Sequence, residues 1–238
     1  MFHPQGPTFW ELAHQALSST KSGYDLLAPK FDYTPFCTPD ELLAHVAPVV
    51  AEKKDVDDAI DVCCGTGAGM RMMRPLCGQT VTGIDFSEPM LRVAQRRAAS
   101  STGTASLKFV HGDVFAMPFT EAFDVAVCFG ALGHFLPNDQ PAFIAQVSKV
   151  LRRGGRFLFA TSYMPPHFSR RYWISRAFNS AMHARNWLFR PHFIMFYLAF
   201  LAPEASKMLA QAGFDVEIRK HVFPAPFQEM CLIVATKK

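Results

Sequence analysis

Three acids stand at comparable places along the chain: Asp61 inside AIDVC, Asp85 at the end of VTGID and Asp113 at the end of LKFVHGD. Each lies in or closes a short apolar run of the kind that forms a buried strand. A carboxylate at a strand end can accept two hydrogen bonds from ribose hydroxyls, or one from the exocyclic amine of a base. Singly, each is as well explained as a cap or turn residue. Three of them at successive strand ends line one edge of a sheet, where open α/β sheets bind their ligands.

The first acid leads into a glycine-rich stretch, IDVCCGTGAG at 60–69. It follows a predicted strand and opens a predicted helix, the setting a nucleotide loop needs. Glycine lets a backbone approach a ligand closely, and Gly65, Gly67 and Gly69 offer that here. A dinucleotide fingerprint, G-x-G-x-x-G, would put its third glycine where Met70 stands, which counts against a nicotinamide dinucleotide. Cys63 and Cys64 raise the question of a thiol or metal site. Neighbours on a strand end point to opposite faces, and a structural zinc site uses Cys-x-x-Cys or histidine pairs. Neither spacing occurs here, so these cysteines are expected to be small apolar side chains beside the loop, with no metal.

Elements must hold these residues in place. The 238 residues are half hydrophobic and 18% charged, enough for one large α/β domain with a real core. The net charge of +4 is mild, and Lys and Arg are spread out rather than striped. No nucleic-acid partner is expected on that ground. The opening MFHPQGPTFWELAH has no charged leader followed by an apolar run, so a signal peptide is not expected. The longest apolar stretch, at 193–202, is half of what a bilayer crossing needs. The six cysteines are then expected to stay reduced and the protein to be cytoplasmic.

Residues 9–19 and 39–52 read as helices, with an aromatic loop, SGYDLLAPKFDYTPF, between them. Residues 1–55 thus form an N-terminal helical cap. From 59 on, strands at 59–63, 81–85, 107–113, 123–130 and 155–162 alternate with helices. Among the helices are SEPMLRVAQRRAAS, capped by Ser87, and 140–151, closed by Arg152-Arg153-Gly154-Gly155. That alternation implies a mostly parallel sheet covered by helices on both faces. A helix from Pro203 to Gly213 and strands at 214–223 and 229–238 complete a seven-stranded sheet, the core being 56–162 with 203–238. Residues 163–202 are aromatic, basic and punctuated by proline, and read as a helical lid of two helices inserted after the fifth strand.

The stretches AIDVCCGTGAG, VTGIDFSEPML, FVHGDVFAMPF, FDVAVCFGALGHF and KVLRRGGRFLF, in this order over 24–162, resemble the class I S-adenosylmethionine-dependent methyltransferases. Within that class the chain is similar to the ubiquinone/menaquinone C-methyltransferases, whose aromatic entry segment YDLLAPKFDY also resembles. The resemblance implies a Rossmann-like fold with S-adenosylmethionine as cofactor and S-adenosylhomocysteine as product. It implies that Asp61, with the backbone of Cys63, Cys64, Gly65 and Gly67, holds the methionine part. Asp85 would bind the ribose, with Phe86 and Met90 packing beside it, and Asp113 and Val114 would hold the adenine. Phe129 and Gly130 would floor the site, and Tyr24 and Tyr33 would close its mouth. The family usually has glycine where Cys63 stands, a departure expected to narrow the methionine pocket without abolishing binding.

Methyl transfer needs an acceptor aligned at roughly 3 Å with water excluded, and an acceptor that loses a proton gains from a base. His134, just after the fourth strand, is the leading candidate, with a packing or capping role as its ordinary alternative; His167 is a second, and Tyr163 could orient a substrate oxygen. Catalysis by positioning alone stays open. The lid aromatics, among them Tyr172, Trp173, Phe178, Trp187, Phe189, Phe193, Phe196, Tyr197 and Phe200, together with Met182, suit a lipophilic small molecule of aromatic, polyketide or isoprenoid type. Ile174, Ala177, Phe178 and Ala181 fall at helical spacing, so part of this stripe is expected in the core. The lid arginines could face solvent, an anionic membrane surface in peripheral contact, or a second subunit, leaving monomer and homodimer both open. Two other functions remain at this point: a cyclase or pericyclase that uses the same cofactor, and a nucleic-acid or protein methyltransferase. The second lacks its Asn/Asp-Pro-Pro-aromatic signature, since FGALGHF stands there.

Overall fold

The computed structural model describes residues 3–238. Its centre is one seven-stranded sheet in the order β3-β2-β1-β4-β5-β7-β6. The strands are β1 (Asp58–Val62), β2 (Thr80–Asp85), β3 (Ser106–His111), β4 (Phe123–Val127), β5 (Leu151–Ser162), β6 (Phe214–Arg219) and β7 (Met230–Lys237). β1 to β5 pair in parallel, and β7 runs antiparallel between β5 and β6. The chain order reverses between β1 and β4, which leaves a crevice at the carboxyl ends of those two strands.

Alternation along the strands builds two apolar layers. On β1, Ile60 and Val62 join the layer that holds Phe143, Ile144 and Leu209, while Ala59 joins the one that holds Leu43, Val46 and Met73. The helices over the first face are α6 (Gln140–Val150) and α8 (Ala202–Gln211). Over the second lie α3 (Asp40–Ala51), α4 (Ala68–Met73) and part of α5 (Glu88–Ala98). α3 is sided by its sequence: Leu42, Leu43, Val46, Val49 and Val50 recur at helical spacing and are all buried. Each such side chain contributes roughly 1.5–3 kcal/mol on burial.

The N-terminal segment carries two helices before α3, where the sequence suggested one and a loop. α1 (Phe9–Leu17) starts with a capping box between Thr8 and Glu11. α2 (Thr20–Leu27), capped by Ser19, runs into a 3₁₀ turn at Ala28–Tyr33. The reading as loop followed the glycine and proline in this stretch. Gly23 instead serves close packing, since a Cβ there would lie 2.8 Å from the Phe193 ring and 2.9 Å from Gln15. Lys30 ties the turn back to Glu11 at 2.6 Å.

Two further expectations change. The helix expected to close at Arg152-Arg153-Gly154-Gly155 stops at Val150, because β5 begins at Leu151, paired with Phe123 ahead of a register shift. The lid contains one helix, α7 (Arg170–Leu188), followed by an irregular strap to Leu201. The apolar residues of α7 do not enter the core, since Trp173 and Ile174 are exposed and only Ser175 of α7 is buried, whereas Phe193 and Phe200 of the strap are buried and Phe200 joins the first apolar layer. Among the described residues no helix is long and apolar enough to cross a membrane.

Candidate active site

A cavity of about 660 Å³ opens in the crevice beyond β1 and β4, a size that suits a cofactor or small molecule. Asp61, Asp85 and Asp113 all line it. Asp61 is buried on β1 and accepts a hydrogen bond from the Met70 N–H of α4 at 3.0 Å. Gly69 makes that approach feasible, because a Cβ there would stand 2.6 Å from the Asp61 carboxylate. Asp85 closes β2, where its two oxygens accept from the N–H groups of Gly65 (2.8 Å) and Ser87 (2.9 Å). Asp113 accepts from the Phe115 N–H at 2.9 Å and caps a short turn that starts at Val114.

Burial dominates the electrostatics. It pushes the Asp61 carboxyl up to about 7, with the Asp85 charge adding to it, against the pull of the Met70 N–H and the weaker pull of Arg71. Asp85 is also raised by burial, opposed by its bonds from Ser87 and Gly65. A cationic ligand would relieve both. The thiol of Cys63 is held well above its ordinary value by a hydrogen bond with Cys128 and by burial; burial and then the charge of Asp85 do the same to Cys64. Both stay protonated and unreactive. Their side chains diverge as the sequence reading expected, Cys63 packing on the Phe143 layer and Cys64 on the Val46 layer, although both lie beyond the end of β1. Cys63 has φ of 58°, the left-handed region that favours glycine.

The N-terminal segment forms the roof. The Thr66 hydroxyl donates to Asp32 at 2.6 Å, Arg97 pairs with Asp32 at 2.5 Å, and the Ser87 hydroxyl donates to Asp25 at 2.6 Å. These contacts draw α2 and its 3₁₀ turn onto the glycine loop, bringing Tyr24 and Phe31 over the cavity. Tyr24 Oη lies 2.7 Å from His134 Nε2, and His134 Nδ1 lies 2.5 Å from the Ile194 carbonyl oxygen. A carbonyl only accepts, so Nδ1 carries the proton and Nε2 accepts from the Tyr24 hydroxyl. Burial lowers the pKa of His134, against the raising effect of its Ile194 bond, and keeps the ring neutral. Burial and then the Asp85 charge raise that of Tyr24, which stays a phenol.

Of the residues named from sequence, the cavity brings together Tyr24, Asp61, Cys63, Cys64, Gly65, Asp85, Phe86, Met90, Asp113, Val114, Phe129, Gly130 and His134. Four lie elsewhere. Tyr33 stacks on His3 at 4.7 Å, outside the mouth it was expected to close. Gly67 caps α4 and faces Ala94 instead of the cavity. Tyr163 sits under Lys220 beside a separate small cleft, and His167 packs on Tyr172 at the surface. The lid contributes Ile194 to the lining and none of its aromatic side chains. Sequence reasoning missed Phe31, Phe36, Phe115, Phe135 and Ile194. The first two lie in the aromatic stretch that was singled out, and Phe115 and Phe135 lie in the quoted stretches FVHGDVFAMPF and FDVAVCFGALGHF without having been given a role; Ile194 carries no motif.

A family described as a methyltransferase domain matches residues 59–155. A demethylmenaquinone methyltransferase of Staphylococcus aureus (strain MRSA252) is 38% identical over 121 residues, which is 48% of this chain and 47% of that protein. The chain thus spans about half the length of the curated relatives it matches. Among solved structures, DhpI in its complex with SAH superposes with a TM-score of 0.67 at 18% identity, covering 94% of this chain and 98% of that one. The SAH-bound magnesium protoporphyrin IX methyltransferase of Synechocystis PCC 6803 gives 0.61 at 16% identity, covering 92% and 95%. Residues 59–155 are thus similar to a methyltransferase domain, about half of the chain is similar in sequence to a demethylmenaquinone methyltransferase, and nearly the whole chain shares the fold of these solved structures.

Proposed function

We propose that this chain transfers the methyl group of S-adenosylmethionine to an O, C or N atom of a lipophilic small molecule of aromatic, polyketide or isoprenoid type. One observation carries the reading: a single cavity is lined by Asp61, Asp85 and Asp113 and also by Phe31, Phe36, Phe115, Phe129 and Phe135, with Tyr24 and His134 among them. The relatives' names, demethylmenaquinone and magnesium protoporphyrin IX methyltransferase, fit an apolar acceptor.

The residues present fit the cofactor. Asp61 would hold the ammonium of its methionine part, Asp85 its ribose hydroxyls and Asp113 with Val114 its adenine. Each Asp85 oxygen accepts one backbone N–H and keeps capacity for a hydroxyl. Gly65 has open space where a Cβ would stand. Bound there, S-adenosylmethionine supplies an activated methyl group on a positively charged sulfur. The protein's part is to orient the acceptor, exclude water and take up its proton. Tyr24 Oη donates to His134 and can accept from an acceptor hydroxyl. As that proton reaches Tyr24, the phenol proton passes to His134 Nε2, and the imidazolium formed keeps its Nδ1–H on the Ile194 carbonyl. His134 is thus the base, acting through Tyr24.

The test uses S-adenosylmethionine with an isotopically labelled methyl group, incubated with the protein and with organic and aqueous extracts of the source. Label in an organic-phase small molecule supports the reading and identifies the acceptor. Label only in RNA or protein, or cofactor binding without any label transfer across all fractions, overturns it.

A further inference from the structure

Tryptophan is among the side chains that proteins bury most on average. All three in this chain stand in water: Trp10 is 78% exposed, Trp173 63% and Trp187 83%. Two of them are on α7. There the outward face carries Trp173, Ala177, Ala184 and Leu188 at helical spacing, with Ile174 beside them, all exposed. The inward face holds the half-buried Tyr172, Asn179 and Met182 with the buried Ser175. An apolar helix stripe normally turns to the core; this one turns away from it.

The charge around the stripe has one sign. Between Tyr163 and Pro203 there are five arginines and no aspartate or glutamate. Arg171 pairs with Glu229. Arg185 donates to the carbonyls of Ala16 and Ser18, which clamps α7 to the end of α1, where Leu17 is exposed. Arg170 and Arg176 are exposed and form no ion pair among the described residues. Tryptophans over an apolar stripe, with free arginines at its sides, match the boundary of a bilayer with anionic headgroups: indoles sit at the headgroup level and cations meet the surface charge. A second copy of this face would set arginine against arginine.

We propose that the outer face of α7, with Leu17, docks on an anionic lipid bilayer surface. The proposal is independent of methyl transfer, and its failure leaves that reading intact.

The test is co-sedimentation of the full chain with vesicles of phosphatidylcholine, with and without phosphatidylglycerol. Indole fluorescence is followed alongside, since every tryptophan starts exposed. The expected result is binding to the anionic vesicles with a blue shift, weakened by salt, and much weaker binding to phosphatidylcholine alone. Arg176→Ala should weaken it roughly fivefold. The double variant W173S/L188S should weaken it by at least about tenfold while leaving the circular dichroism and Tm in place, since both side chains are exposed. No binding at low salt, or equal binding to both vesicle types, overturns the proposal. So does a protein that is dimeric in sedimentation velocity and becomes monomeric with Trp173→Glu, which would assign the face to a second copy.

Discussion

Tyr24 and His134 lie 110 positions apart and meet at 2.7 Å, oxygen to Nε2, over the cavity that the strand-end acids line. The Ile194 carbonyl on the other ring nitrogen fixes which way the proton points. Tyr24→Phe and His134→Gln should each lower kcat by roughly 10²–10⁴-fold and leave the affinity for S-adenosylmethionine close to that of the parent protein. Since burial lowers the pKa of His134, activity should be level near neutrality and fall only as pH drops below its ordinary value of 6.5. A pH profile of kcat that His134→Gln leaves unchanged would remove the pair from the reaction.

Asp61 gives a pH dependence of the opposite sense. Its folded pKa of about 7 lies above the roughly 3.9 of an unfolded aspartate. The folded state therefore keeps a proton that the unfolded chain has lost. That contribution to stability is complete below about pH 4 and is lost as pH rises to about 7. Asp61→Asn should flatten this slope in denaturant titrations of the ligand-free protein. Affinity for the cationic cofactor should rise over the same range as Asp61 ionises, and the variant should lose that rise.

Cys63 occupies a left-handed backbone position without being glycine. That region costs an ordinary residue roughly 1–2 kcal/mol, while glycine's extra backbone entropy returns roughly 0.5–1 kcal/mol. Cys63→Gly should thus stabilise the protein by about 0.5–1 kcal/mol in chemical denaturation and leave cofactor binding intact. A loss of stability would mean that its contacts with Cys128 and the core outweigh the strain.

The sheet was legible because burial on two faces leaves continuous apolar runs, and Asp61, Asp85 and Asp113 interrupt or end those runs where the sheet meets the cavity. The carboxyl edge of β1 to β4 followed from that pattern. α2 was not legible, since Gly23 and Pro29 read as loop punctuation until Phe193 is seen to press on the glycine. Nor was the direction of the lid helix. Spacing reports that Trp173, Ile174 and Ala177 share a face, but not whether water or core meets it. Tyr163 and His167 have suitable chemistry in a segment whose path local pattern cannot set. Ile194 reaches the site through its backbone oxygen, for which no side chain gives a signal.

The central claim is that this cavity holds S-adenosylmethionine against its acids, and calorimetric titration tests it most directly. The wild-type chain should bind the cofactor at one site. Asp85→Ala should weaken binding by roughly 1.5–3 kcal/mol for each charge-assisted hydrogen bond lost to the ribose. An unchanged affinity in the variant, or no binding by the wild type, would contradict the account.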